Sequence, residues 1–503
     1  MEVLSHILDG FLLIMQPYYL FAVILGVGIG ILVGAVPGLT SSVGIALFIP
    51  ITFGMDPLFA LALMAGIDNG ANYGGAVPAI LLRIPGTPSA VCTTFDGHPM
   101  AQKGLAGYAL KIGALSSASA GMMSAIVLLL LAPSLARITL SFGPAEYFWL
   151  SVLGLSAVAV LLGTDPIKGM LSAAFGLLIA TVGSDMVTGY ERFTFGSLEM
   201  IEGFPLVVVL VGLFALPAAW RAIETSTGET KNDLFAMLRG NGEFVWPWRR
   251  LTTTIMKSTG VGIFFGILPG VGGTAAGFIA YNEARRSSPN PEDFGKGEPT
   301  GVAAAEAANS AANSGAMVPA LTLGIPGSAS AALMLGVLII HGLQPGPDLF
   351  SDPNGVIWGY MWAMFFASLM LLASGGQVAT RVFGQVLRLP PLILMPIIIS
   401  MTFIGSYTIT QGTFHVYVMF AFGLIGYAMD RLDFPTAPLV LALVLGDKAE
   451  SSLRTAMLLG QGDPMTLIAR PLSLAIVAII TFILLFPLLR AVRDRRKRLR
   501  GES

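Results

Sequence analysis

Two stretches of this chain occur twice, in the same order, and each is broken by proline and glycine inside apolar sequence. Residues 30–38 read GILVGAVPG and residues 262–270 read GIFFGILPG. Gly30, Ile31, Gly34, Pro37 and Gly38 thus recur 232 positions later as Gly262, Ile263, Gly266, Pro269 and Gly270. Residues 68–90, DNGANYGGAVPAILLRIPGTPSA, return as 309–331, NSAANSGAMVPALTLGIPGSASA, with about half of the 23 positions identical. At this offset of 241, Asn72, Gly74, Pro78, Pro85, Gly86 and Ser89 fall on Asn313, Gly315, Pro319, Pro326, Gly327 and Ser330. The offsets differ by 241 − 232 = 9 residues, which fit in the polar stretch 282–300, read as an exposed connector. Matched order and matched breakers indicate an internal duplication.

The duplicated blocks sit in a chain that water cannot accommodate as an ordinary globule. Of its 503 residues, 54% are hydrophobic and 11% charged, against about 25% charged in a typical soluble domain. Mean hydropathy is +0.78. This excludes an ordinary soluble enzyme, a nucleic-acid binder and a disordered chain. The fold class expected is an all-α polytopic membrane protein in contact with lipid. Apolar runs near 18–36, 106–132, 146–162, 167–183, 203–220, 252–268, 331–341, 355–375, 391–404, 414–429, 434–446 and 467–489 give roughly ten to twelve transmembrane helices at about 20 residues each. The N-terminus, MEVLSHILDGFLLIM, lacks a basic region and does not read as a cleaved signal. Seven arginines and lysines between Arg490 and Arg500 follow the last apolar run and predict a cytoplasmic C-terminus. The division expected is a first transmembrane half, 1–220, a cytoplasmic or interfacial connector, 221–250, a second half, 251–489, and a basic tail, 490–503. Cys92 is the lone cysteine, so no intrachain disulfide can form.

Two halves with matching broken helices point to a secondary transporter, with the halves inverted or parallel. Backbone groups freed by Pro and Gly are costly in lipid unless they line a cavity or are buried in protein. IPGTPSA and IPGSASA therefore read as tips of re-entrant hairpins. Freed amides and helix N-termini at such tips favour anions. The candidate substrate-binding residues are Gly86, Thr87 and Ser89 at the first tip, and Gly327, Ser328 and Ser330 at the second. Asn69, Asn72, Asn313 and Ser314 precede the tips and can bind a carboxylate or a cation. Thr40, Ser41, Gly273 and Thr274 follow the first-block Pro-Gly positions and can join the site. The four-residue glycine spacing at Gly26, Gly30 and Gly34, and at Gly262, Gly266 and Gly270, reads instead as close helix packing.

Ionisable residues inside apolar segments are functional candidates. Asp68, its counterpart Asn309, and Glu306, three residues before Asn309, are candidates for coupling to Na⁺ or H⁺. For Na⁺ the sequence fixes no ligand set. Arg83 precedes the first tip and could grip a carboxylate through its fork; its counterpart is Gly324. Glu450 and Arg454 are expected to pair on a helix surface. There is no GxxxxGK[ST], no HExxH and no GxSxG, and His6, His98, His341 and His415 have no metal-ligand spacing. No cofactor and no catalytic residue is expected, and the chain does not read as an enzyme.

Finally, GAVPGLTSSVGIALFIPITFGMDP, GIDNGANYGGAVPAILLRIPGTPSAVCTTFDGHPMAQKG, GILPGVGG, NSAANSGAMVPALTLGIPGSASAALMLG, GLQPGPDLF and GDKAESSLR together resemble the large membrane subunit of bacterial tripartite tricarboxylate transporters. The resemblance implies the translocation subunit of a cation-gradient-driven, binding-protein-dependent carrier in the bacterial inner membrane. It further implies a small four-helix membrane subunit and a periplasmic solute-binding protein as partners, and citrate or a related carboxylate as substrate. A stand-alone carboxylate/cation symporter, and a membrane-embedded enzyme or assembly scaffold, are the alternative readings.

Overall fold

The computed structural model describes residues 2–36, 39–161, 166–185, 189–225, 246–269, 272–352, 354–374, 396, 399–400, 402–404, 406–407 and 412–483. Most of the 221–250 connector, much of the 391–404 run, the 490–503 tail, and Pro37, Gly38 and Gly270 lie outside the described residues.

The described chain is helical apart from one short antiparallel ladder, in which Gly183–Ser184 pairs with Glu191–Arg192. In order come α1 (Glu2–Ile14), α2 (Pro17–Ala35), α3 (Ser41–Thr52), α4 (Pro57–Gly74), α5 (Ala76–Leu82), α6 (Val91–Met100), α7 (Ala106–Thr139), α8 (Pro144–Leu161), α9 (Pro166–Ala180) and α10 (Leu206–Thr225). After the connector follow α11 (Trp248–Ile267), α12 (Gly272–Arg286), α13 (Pro299–Leu323), α14 (Ala329–Ile340), α15 (Val356–Met370), α16 (Thr413–Arg431), α17 (Thr436–Leu459) and α18 (Pro471–Ile483).

Four helical stretches are long and apolar enough to cross a bilayer: Pro17–Ala35, Pro88–Ile138, Val356–Ser374 and Thr413–Arg431. Six shorter apolar helices accompany them. Among the described residues the apolar runs read from hydropathy thus divide into long and short helices, for a physical reason. Proline and glycine cut several apolar runs into pieces shorter than a span. Other helices are sheathed by protein, so they need not be apolar. α13 is buried from Thr300 to Thr322, and its Glu306, Asn309, Ser310, Asn313 and Ser314 meet protein instead of lipid.

Glycines set the closest contacts. A Cβ on Gly26, Gly30 or Gly34 of α2 would run into the carbonyl oxygens of Leu63, Ile67 and Ala71 of α4. Reciprocally, a Cβ on Gly66, Gly70 or Gly74 would lie 2.6, 2.5 and 2.7 Å from the carbonyls of Val23, Val27 and Ile31. α11 and α13 meet in the same way: a Cβ on Gly262 or Gly266 would strike the carbonyls of Ala308 and Ala312. Small residues let backbones approach and gain dispersion where lipid offers no hydrophobic drive.

The chain segments before and after the connector interlock. α7 packs along α13, and α4 along α15. α8 and α9 lie on α17, and α10 lies on α16. The α10–α16 pair reaches the glycine-packed core through α3. Near the ladder, Arg192 pairs with Glu450 at 2.8 Å and Arg454 with Asp185 at 2.6 Å. The expected Glu450–Arg454 pair, at 2.7 Å, is therefore one link of a four-residue network tying the 183–192 segment to α17.

Gly30→Ala should destabilise the fold by about 1–3 kcal/mol, because the methyl overpacks a backbone contact. Gly28→Ala, whose Cβ would meet nothing within 4 Å, should be neutral or slightly stabilising. Thermal unfolding of the two purified variants in detergent compares them directly.

Candidate functional site

Each of the long repeated blocks turns at its Pro-Gly pair. Arg83 ends α5 and Gly324 ends α13, both in the left-handed conformation, with φ of 60° and 72°. The Ile84 amide donates to the Pro78 carbonyl at 3.3 Å, and the Ile325 amide to the Pro319 carbonyl at 3.2 Å. At the turns, the Gly86 amide donates to the Gly75 carbonyl at 3.1 Å, and the Gly327 amide to the Ala316 carbonyl at 3.4 Å. A Cβ on Gly86 would lie 2.5 Å from the Gly34 carbonyl, and one on Gly327 2.5 Å from the Gly266 carbonyl. Each turn is thus seated on a glycine-bearing helix, the first on α2 and the second on α11. Beyond the bend the hydroxyls pair: Thr87 with Ser89 at 3.1 Å, and Ser328 with Ser330 at 3.1 Å. Ser328 also caps α14 by accepting from the Ala331 amide at 3.2 Å, and Thr40 caps α3 through the Val43 amide at 3.4 Å.

Both turns open into one cavity of about 730 Å³. Thr87, Ser89 and Asn72 line it from the first block, and Asn309, Asn313, Ser328 and Ser330 from the second. Thr40, Ser41, Gly273 and Thr274 complete the sequence-derived set there. Four α-helices begin on its wall, at Ser41, Gly272, Ala329 and Thr436. An opening helix turn leaves its amides without intrahelical acceptors and carries the positive end of the helix dipole. The charged side chains among the described lining residues are Arg221 and Asp430, paired with each other at 3.0 Å. Phe214, Phe278 and Phe434 supply the apolar part of the wall. The cavity is therefore rich in neutral hydrogen-bonding groups and helix starts, an arrangement suited to an anion.

Residues 20–441 match the tripartite tricarboxylate transporter TctA family. The chain belongs to that family. It is 36% identical over 500 residues to an uncharacterized 52.8 kDa protein of the TAR-I ttuC' 3'region of Agrobacterium vitis, covering 99% of this chain and 98% of that one. An uncharacterized protein of the TAR-II ttuC' 3'region of the same organism is 34% identical over 235 residues, covering 47% of this chain and 97% of its own length. No solved structure matches. This TctA-family chain is a multi-pass membrane component of a tripartite transport system, which implies TctB and TctC components in general, and the family is one of transporters and not of enzymes.

Several residues singled out in the sequence of this TctA chain lie away from the cavity. Asn69 turns toward α15, donating to the Ala65 carbonyl at 3.0 Å and to Met364 Sδ at 3.3 Å, and accepting from Ser368 at 3.2 Å. Arg83 is exposed and does not line the cavity. Ser314 is fully buried, and Gly86 and Gly327 shape the turns without lining the cavity. Glu306 is buried at 1% exposure against α6 and α7, accepting from Thr93 and, at 3.1 Å, from Ser117. Asp68 sits in the body of α4, eleven residues after the helix starts at Pro57. Its carboxylate is surrounded by Asn313, Ser41 and Ser330, yet its Oδ1 completes no hydrogen bond, nor do the Nδ2 atoms of Asn309 and Asn313.

Asp96 escapes the repeat argument because its offset partner is Val337. It is fully buried and accepts three backbone amides, from Gly295, Gly297 and Glu298, each at 2.8 Å, and the Tyr281 hydroxyl at 2.8 Å. The 282–300 stretch, read as an exposed connector, is in this part clamped onto α6. Its even run of polar residues gave no sign of this, since the bonds use backbone amides that carry no sequence signature. Asp96→Ala should leave these donors unpaired, at a local cost of about 1–3 kcal/mol. Hydrogen exchange at 295–298 should rise accordingly, with exchange in α8 unchanged.

Proposed function

We propose that the cavity is the substrate site of a cation-gradient-driven, binding-protein-dependent carrier that imports tricarboxylates such as citrate, or related carboxylates. The observation that carries this reading is the convergence of four helix starts and paired hydroxyls from both repeated blocks on one cavity. Three carboxylates cost little to desolvate where preoriented amides and hydroxyls replace their water. Recognition then needs no bare cation in the wall. Asn72, Asn313, Thr87 and Ser328 are the side-chain donors, and Asp68, which lies beside Asn313 with an unpaired oxygen, is the favoured group for Na⁺ or H⁺ coupling. Glu306, held by two hydroxyls away from the cavity, then serves the α6–α7–α13 contact.

In this reading the chain is two duplicated halves, 1–220 and 251–489, inverted in the membrane, with the Pro-Gly turns as re-entrant tips. The C-terminal tail and the connector face the cytoplasm of a bacterium. The partners are a small four-helix membrane subunit and a periplasmic solute-binding protein, and the substrate moves as the glycine-packed core carries both tips past the α8–α10, α16 and α17 group. The separate packing of α10 on α16, and of α8 and α9 on α17, supports such a division.

Uptake of labelled citrate and other carboxylates into proteoliposomes, with both partner components and with or without a Na⁺ gradient, tests the assignment. Asn313→Ala should reduce uptake at least tenfold with expression intact, whereas Asn69→Ala should lower stability but spare substrate affinity. Equal uptake by Asn313→Ala and the parent would remove the cavity from the pathway. Cysteines introduced at positions 87 and 328 should exchange solvent access between the two faces during turnover; access fixed to one face would exclude movement of the tips.

A further inference from the structure

A second, smaller cleft of about 270 Å³ opens where the start of α11 meets the end of α12. Arg249, Arg250 and Lys257 line it, with the hydroxyl-bearing Thr254, Ser287 and Ser288. The spacing explains the cluster, since residues 249, 253 and 257, and 250, 254 and 258, fall on one helical face. Arg250 donates to Ser288 at 3.2 Å and pairs with Glu298 at 3.2 Å. Arg249 and Lys257 form no ion pair among the described residues. Glu283 is the acidic residue of the lining. Three cations thus face Glu283 and the already paired Glu298, which leaves an excess of positive charge.

Two features beside the cleft distinguish its occupant from a free anion. Trp248, 57% exposed, stacks on Trp246 with centroids 5.0 Å apart, and exposed tryptophans mark the headgroup level of a bilayer. Farther along α11, Met256 and Phe264 are 53% and 60% exposed, and a Cβ on Gly260 between them would meet nothing within 4 Å. Residues 256, 260 and 264 fall four apart, so the open glycine lies between two exposed apolar side chains on one face of α11, beside Lys257.

We propose that this cleft binds the phosphate of an anionic phospholipid, with an acyl chain lying along Met256, Gly260 and Phe264. Arg249 and Lys257 supply the unpaired charge, and Ser287 and Ser288 supply hydroxyl donors. The lipid then pins the start of α11 to the end of α12.

Native mass spectrometry of the full purified chain, titrated with phosphatidylglycerol or with phosphatidylcholine of the same acyl chains, tests this. The parent should retain phosphatidylglycerol at least fivefold better. Lys257→Gln should weaken phosphatidylglycerol about fivefold, and Arg249→Gln/Lys257→Gln about twenty-five-fold, following the gain per basic residue near an anionic surface, with phosphatidylcholine, whose choline cancels its phosphate charge, weakened less. Phe264→Gln should weaken both lipids. Unchanged phosphatidylglycerol preference in Lys257→Gln, an exposed position whose replacement disturbs no buried group, overturns the proposal. Thermal stabilisation by inorganic phosphate alone equal to that by phosphatidylglycerol also overturns it, since the cleft would then be a free-anion site.

Discussion

The contact on which the molecule depends is the passage of one helix backbone against another at glycine. α2 meets α4, and α11 meets α13, with no room for a single methyl at several turns. In a membrane environment this closeness replaces the hydrophobic drive that water would provide. It also fixes the two Pro-Gly turns, because Gly86 and Gly327 rest on the carbonyls of Gly34 and Gly266. At those turns the Gly86 and Gly327 amides find the Gly75 and Ala316 carbonyls, so these two of the backbone groups freed by the breaks are paired within the protein. The cavity walls follow from the position of the turns.

Low charge content and an anion-suited cavity are compatible because the positive potential comes from the backbone. Four helix starts contribute partial charges that need no counter-ion and carry a smaller desolvation cost than buried lysines or arginines. Arg221 lies on the cavity wall but is committed to Asp430. Other full charges pair with one another at the edge of the fold, as in the Asp185, Arg192, Glu450 and Arg454 network.

Much of the lining of the candidate cavity was legible because matched residues in two similar sequence blocks mark it. Thr87, Ser89, Ser328 and Ser330 stand at matched positions beside matched breakers, and all four line the cavity. Asn72 and Asn313 do likewise. Asn69 was not separable from Asn72 by residue type. On α4 its side chain is rotated by about 60° from Asn72, since each residue turns a helix by about 100°, and that rotation delivers it to Met364 and Ser368. Glu306 shares a face with Asn313, but seven residues place it about 10 Å along the axis, among Thr93 and Ser117. Arg221, Asp430 and Thr436 lie outside both repeated blocks, so nothing in the pattern connected them to the cavity.

The sequence by itself determined the membrane class, the positions where helices break and the glycine faces where they pack, because composition, Pro-Gly breakers and four-residue spacing act locally. Tertiary structure decided which polar groups share a cavity and which are absorbed by neighbouring helices. It brought the starts of α3, α12, α14 and α17 to one wall from positions separated by up to 395 residues, and it clamped the 295–298 amides onto Asp96. Those outcomes depend on helix rotation, axial depth and backbone hydrogen bonds between distant segments, none of which a local pattern of residue types encodes.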